Sequence, residues 1–306
     1  MNYHGVVCAS TIYARLRGKT RGKERIMLKL MYITNRPEIA RIAEAAGVDR
    51  IFVDMEYLGK DARQRGLDTV KSRHTVRDAR AVKAALSAAD LLVRVNPIHD
   101  AFSGIPSSRE EIDAAVEAGA DILMLPYFKT VGEVRTFLEL VDGRVKTMLL
   151  FETPEAVTLA DEILALPGID EIHIGLNDLS IGYGQPFLFQ PLADGTLDLL
   201  CPKFRARDIP FGFGGIARLG GGAVPAEIII REHCRLGSQR AILSRSFCNT
   251  DKTTDLAEIE AIFRTGLTEL RQFEAAFDRT PEALAENHAE LRRRVADVVR
   301  KMEEGQ

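Results

Sequence analysis

The chain has 306 residues, 46% of them hydrophobic and 28% charged, enough to bury a sizeable core, and it holds no apolar run long enough to cross a bilayer. With 41 Lys and Arg against 44 Asp and Glu the formal net charge is −3, so no global basic field points to nucleic acid or to an anionic membrane surface. Four cysteines without CxxC spacing exclude a disulfide scaffold or a zinc knuckle, and with no signal-peptide pattern the composition suits a reducing cytoplasm.

In chain order, residues 1–26 come first and differ from the rest of the chain. Arg15, Arg17, Lys19, Arg21, Lys23 and Arg25 alternate with small or polar residues, and nothing periodic is available to bury. The segment reads as a poorly ordered basic extension ahead of a functional start at Met27. From there short apolar runs rich in β-branched residues predict strands at 28–33, 50–54, 91–96, 121–126, 145–151, 171–174, 209–213 and 240–244. Helical apolar spacing predicts helices at 37–46, 76–87, 108–118, 131–141, 154–166, 195–207 and 226–236, several opened by a Ser, Thr or Asp cap or by a first-turn proline. Spread over residues 27–250, eight repeats take about 28 residues each, what a strand, a helix and two connections need in a barrel of roughly 250 residues. The fold expected is α/β, a (β/α)8 TIM barrel forming the catalytic domain. An open doubly wound sheet is the runner-up, but Thr34-Asn35-Arg36-Pro37 after the first strand carries no Gly-x-Gly-x-x-Gly turn for a dinucleotide. After residue 250 the pattern is helical only. One stripe runs through Leu256, Ile259, Phe263, Leu267, Leu270, Phe273 and Phe277, and a second through Leu284, His288, Leu291, Val295, Val298 and Met302. Residues 251–306 therefore form additional C-terminal helices, which pack on their own barrel or, as expected here for a homo-oligomer, on a neighbouring subunit.

Catalytic residues of such barrels sit at the C-terminal ends of the strands, so polar residues that close apolar runs are the candidates. Strand two ends in Asp54-Met55-Glu56, strand three in Arg94-Val95-Asn96, strand five in Phe151-Glu152, and strand six runs into Asn177-Asp178. Grouped carboxylates repel one another, and a divalent cation is the usual remedy. No Cys or His stands beside Glu152 and Asp178, so an all-oxygen set points to a hard ion, Mg²⁺ or Mn²⁺. Arg94, planar and always charged, suits the carboxylate or enolate oxygen of a keto acid, with Asn96 and Asn177 as further substrate contacts. The plainer alternative pairs Arg94 with Asp54 or Glu56 to close the barrel top and lets Asp178 cap a helix turn. The segment 59–75, with Lys60, Arg63, Arg65, Lys71, Arg73 and His74, overhangs the same mouth and either grips an anionic substrate tail or is a solvated loop. The glycine-rich run 211–222 after strand seven is read as tight turns before a phosphate cradle. Of the histidines, His173 is expected in the core or helix layer, and His99 is the better-placed proton carrier.

At this point the residues resemble a known family. Phe151-Glu152-Thr153-Pro154-Glu155-Ala156-Val157, then Pro167-Gly168-Ile169-Asp170 and Ile174-Gly175-Leu176-Asn177-Asp178-Leu179-Ser180, are similar to the metal-binding core of the HpcH/HpaI aldolase and citrate lyase family. Val93-Arg94-Val95-Asn96 and the run from Gly119 to Pro126 occur in the expected order. The resemblance implies a phosphoenolpyruvate/pyruvate-type barrel with Glu152 and Asp178 as metal ligands, Arg94 on the pyruvate or enolate oxygen, and Asp54 and Glu56 holding metal-bound waters. It also implies assembly, commonly as a hexamer with exchanged C-terminal helices. Two positions depart from the aldolase branch: Tyr57 replaces a histidine base, and Leu150 replaces a glutamine. The activity expected is a divalent-metal-dependent carbon–carbon lyase acting on a 2-keto acid such as pyruvate or oxaloacetate. The alternatives are citrate-lyase or malyl-CoA-type chemistry on a thioester, and a metal- and keto-acid-binding barrel that has lost turnover.

Overall fold

The computed structural model describes residues 27–60 and 73–304. The basic segment 1–26 and the loop residues Arg63, Arg65 and Lys71 lie outside the described residues. Among the described residues the strands are β1 (Lys29–Ile33), β2 (Arg50–Asp54), β3 (Asp90–Arg94), β4 (Ile122–Leu125), β5 (Lys146–Phe151), β6 (Glu171–Ile174), β7 (Phe211–Phe213) and β8 (Arg240–Leu243). All pair in parallel and in sequence order, and β8 returns to β1, so the sheet closes into the expected barrel.

Helices fill the connections: α1 (Pro37–Ala45), α2 (Val76–Ala85), α3 (Ser108–Glu117), α4 (Val131–Val141), α5 (Pro154–Thr158), α6 (Ala160–Ile163), α7 (Leu176–Gly182), α8 (Gln190–Ala193), α9 (Thr196–Ala206) and α10 (Ala226–Leu236), with α11 (Leu256–Ala276) and α12 (Pro281–Glu304) after the barrel. Local sequence explains the starts. Thr75 with Asp78, Ser107 with Glu110 and Thr130 with Glu133 form capping boxes on α2, α3 and α4, each pair satisfying two amides the first turn leaves open. Pro37 and Pro154 take first-turn positions of α1 and α5, where a missing N–H costs nothing. The stretch predicted as one helix over 154–166 is divided between α5 and α6, and α7 and α8 were not predicted. Those last two are short, and they are held by tertiary burial of Leu179, Phe187, Phe189 and Leu192, with no apolar stripe of their own to announce them.

Apolar side chains sort into two layers. Ile51, Val53, Leu91 and Val93 face outward into the interface between sheet and helices, while Met31, Phe52, Leu92, Met124, Met148 and Leu150 pack inside the barrel. The same alternation puts Arg50 and Asp54, two positions either side of Phe52, on the inner face. At the base Arg50 reaches across from β2 to β6, its Nη1 and Nη2 lying 2.5 and 2.7 Å from the Glu171 carboxylate. Arg240 binds the same carboxylate from β8 at 2.6 and 2.9 Å. A buried three-residue ion cluster thus closes the bottom, and the mouth at the other end stays open for chemistry.

Part of the C-terminal seam packs within the chain. Asn287 on α12 donates to the Ile228 carbonyl and to Glu232 Oε1 of α10, His288 Nδ1 lies 3.0 Å from Glu232 Oε2, and Leu291 and Val295 are buried. The middle of the stripe thus packs on the chain's own barrel, while Met302 at its far end is exposed. The other long helix, α11, covers β1: Phe263 meets Tyr32 edge to face with ring centres 4.8 Å apart, and Glu274 accepts from the Leu28 amide at 2.9 Å.

Candidate active site

Parallel register brings the first pair together. Asp54 and Arg94 end adjacent strands as direct partners, and Arg94 makes a forked contact, Nε to Oδ1 at 2.8 Å and Nη2 to Oδ2 at 2.7 Å. Its third nitrogen, Nη1, stands 3.3 Å from Glu56 Oε2. Lys60 enters from the following loop, with Nζ 2.8 Å from Asp54 and 3.5 Å from Glu56. Burial alone would raise the Asp54 carboxyl, but the Arg94 and Lys60 charges outweigh it and hold Asp54 well below the usual carboxylate range. Arg94 stays charged for the same reason in reverse: burial opposes the cation, yet Asp54 and Glu56 more than compensate. The guanidinium also lies over the Phe52 ring, 5.5 Å from its centre. The ion pair at the barrel top is therefore present, and it coexists with exposure of Arg94 to the cavity.

The second pair comes from β5 and α7. Glu152, just past β5, is 3% exposed and accepts the Tyr127 amide at Oε1 over 2.9 Å. Tyr127 aims that amide from a left-handed backbone, φ 46°, a conformation rare outside glycine and asparagine. Gly175 forms the wall behind Glu152: a Cβ there would stand 2.7 Å from both Cβ and Oε2 of the glutamate. Asp178 lies in the first turn of α7, 6% exposed, with its Oδ1 accepting from Asn177 Nδ2 at 3.2 Å.

Both pairs line one cavity of about 520 Å³ at the barrel mouth, together with Lys60, His74 and Asn177. Phe52, Met124, Leu150 and His173 line its deeper part, and Thr34, Asn35, Arg36, Arg245, Asn249 and Thr250 form the side opposite Glu152, on the β1 and β8 loops. Four expected or weighed residues stay off this lining. Glu56 is buried behind Arg94 and Lys60. Asn96 is spent as a brace, accepting the Tyr57 and Leu58 amides at 2.9 Å each and donating to Glu111 at 2.8 Å. His99, expected as a proton carrier, is tied to the Pro97 and Pro106 carbonyls at 2.7 and 2.9 Å beside Ser108. Tyr57 is turned to solvent.

Lys60, His74 and His173 line the cavity without having been placed in the expected site. Lys60 and His74, which the sequence offers as an anion grip or a solvated loop, are instead packed against Asp54. His173 belongs to the barrel interior, where burial, with the charges of Arg94, Arg240 and Arg50, pushes its pKa down to about 3. A metal fits this set. Among the described residues no group of three or more His, Cys, Asp or Glu side chains gathers into a metal cage, but two buried carboxylates, one cradled by a glycine, leave the remaining positions of a hard ion to substrate and water, as Mg²⁺ is commonly held.

The family model for HpcH/HpaI aldolase/citrate lyase matches residues 28–186, just over half of the chain. This chain belongs to the HpcH/HpaI aldolase/citrate lyase family. Glu152, Asp178 and Arg94 all fall inside the matched span. Solved structures similar to it include an HpcH/HpaI aldolase from Desulfitobacterium hafniense DCB-2, at 18% identity, covering 80% of this chain and 93% of that one with a TM-score of 0.53. An HpcH/HpaI aldolase/citrate lyase family protein from Burkholderia cenocepacia J2315 is 17% identical and covers 86% of this chain and 98% of that one, with a TM-score of 0.54. Citrate synthase SbnG is 16% identical over 78% of this chain and 94% of its own, also at 0.54. At these identities the likeness carries the barrel architecture alone. No curated protein matches the chain in sequence. As a member of this family it is placed among aldolases and lyases, and no helix of its described residues is long and apolar enough to cross a membrane.

Proposed function

We propose that the protein is a divalent-metal-dependent carbon–carbon lyase of the aldolase type, acting on a 2-keto acid such as pyruvate or oxaloacetate. The observation that carries the reading is the sharing of one cavity by Glu152, Asp178 and Arg94. Glu152 and Asp178 would hold the ion, Mg²⁺ or Mn²⁺, which when bound supplies a Lewis acid that favours the enolate over the keto form. Arg94 adds a fixed positive charge beside the keto-acid oxygen, favouring the state with more negative charge. Asp54, itself held by Lys60, keeps that guanidinium in one orientation, so the donor is set before substrate arrives. Phe52, Met124 and Leu150 give the deeper cavity an apolar wall, where charge interactions are stronger than in water.

Incubation with oxaloacetate and Mn²⁺, followed for pyruvate release, is the direct test, with Glu152→Gln alongside it. Metal-stimulated release that fails in Glu152→Gln, together with loss of Mn²⁺ affinity in calorimetry, supports the reading. A wild-type protein that neither decarboxylates oxaloacetate nor exchanges the methyl protons of pyruvate overturns it. If such a protein still binds Mn²⁺ and pyruvate, the barrel is a binding module.

A further inference from the structure

Tyr57 faces solvent, but a different aromatic side chain further along the sequence reaches the site. His74, immediately before the Thr75 cap of α2, is half-buried against the end of β2 and lines the cavity beside Asp54, Lys60 and Arg94. We propose that His74 is a catalytic hydrogen-bond donor, its Nε2–H directed at the carbonyl oxygen of an aldehyde co-substrate. The assignment rests on the lyase reading above and extends it to the second substrate.

The tautomer is set by one contact. The Asp54 backbone N–H donates to His74 Nδ1 over 3.0 Å. A backbone amide nitrogen can only donate, so Nδ1 holds the lone pair and the single proton of the neutral ring is on Nε2. With one edge of the ring turned to the amide, the other edge, Nε2, makes no hydrogen bond among the described residues. The ring is held neutral. Burial lowers its pKa first, Lys60 and Arg94 press the same way, and the Asp54 and Asp78 carboxylates oppose them without reversing the shift.

This geometry excludes one role and selects another. A neutral imidazole whose Nδ1 is committed to an amide has no lone pair at Nε2, so it cannot take a proton from substrate there. What it offers is a fixed N–H, and a neutral imidazole donor suits a carbonyl oxygen that becomes an oxyanion. In the direction of addition, the electron pair of the enolate carbon forms the new carbon–carbon bond. The carbonyl π pair moves onto oxygen, that oxygen rests on Nε2–H, and it takes its proton from water. Cleavage is the reverse: the hydroxyl proton leaves to water, the oxygen reforms the carbonyl, and the bonding pair returns to the enolate.

The test compares two reactions of the same preparations. Oxaloacetate decarboxylation has no second carbonyl, whereas addition of pyruvate to glycolaldehyde has one. His74→Ala should lower kcat for the aldol addition by roughly 10²–10³-fold, the usual cost of removing an oxyanion donor, and slow decarboxylation far less. His74→Gln, which restores an N–H at similar reach, should recover part of the loss. NMR of the metal-free protein with isotope-labelled histidine should find Nδ1 unprotonated and Nε2 protonated in His74. Equal losses in both reactions, no loss in the aldol addition, or a ring protonated at Nδ1 would each overturn the assignment while leaving the lyase reading in place. A wild type that catalyses neither reaction overturns both.

Discussion

Gly175→Ala tests how the carboxylate of Glu152 is held. Gly175 joins β6 to α7 at φ −86°, so an alanine there carries no left-handed backbone penalty and any effect comes from the added methyl. That methyl would stand 2.7 Å from Cβ and Oε2 of Glu152 and 3.3 Å from Leu150 Cδ1. Restoring a carbon contact of about 3.5 Å requires the Glu152 side chain to retreat by about 0.8 Å from its position 2.7 Å away. The glutamate is confined on its other side by the Tyr127 amide at 2.9 Å, so the retreat also strains that bond. Overpacking of this kind costs about 1–3 kcal/mol, which lowers Tm by several degrees in a domain of this size. For chemistry a displacement near 1 Å is worth on the order of 10²-fold in rate. The assay is Mn²⁺ titration by calorimetry, with thermal unfolding and oxaloacetate turnover on the same protein. A Gly175→Ala variant with wild-type Mn²⁺ affinity and turnover would refute the idea that this glycine cradles a metal-binding carboxylate.

Arg94→Lys replaces a forked donor with a single ammonium, so kcat should fall by roughly 10²-fold or more while Mn²⁺ affinity changes little; turnover close to wild type would leave Arg94 with only its ion pairs to Asp54 and Glu56. Arg50→Met strips Glu171 of one of its two buried partners and should cost about 3–5 kcal/mol, read as a lower urea midpoint with the cavity mouth unaltered. His173 has a folded pKa of about 3 because burial and the arginines around it disfavour the cation, against about 6.5 unfolded. The unfolded chain therefore binds more protons between those values. The stabilisation from keeping this ring neutral is complete above about pH 6.5 and declines as pH falls toward about 3. His173→Gln should flatten the urea midpoint over that window. His233, buried and stacked on Phe213 with its pKa likewise lowered, leaves a residual slope of the same sign. A midpoint profile identical in wild type and His173→Gln would contradict the burial argument.

Sequence alone determined the barrel, its strand order and most helix starts, because those features are local. Apolar runs, helical stripes and Ser or Thr caps operate over a few residues, and the sum of eight such units allows few closed arrangements. It also determined that Asp54, Arg94, Glu152 and Asp178 would meet, since each closes or follows an apolar run and the fold sends strand ends to one mouth. Asn177, which lines the same cavity, came with them. What became of the companions of those four was decided by tertiary structure. Asn96 follows its strand end as the others do, yet the return of the 57–58 backbone across it consumes its amide. Lys60 and His74 stand in a loop without periodicity, and nothing within a few residues indicates that the chain folds both against Asp54. His173 was ambiguous because every residue of β6 is buried, so the alternation that separates inner from outer faces is hidden in a strand covered on both sides. Closure of the barrel resolves it: only a closed sheet has an inside, and His173, Glu171 and the arginines from β2 and β8 acquire their charge environment from being enclosed by it.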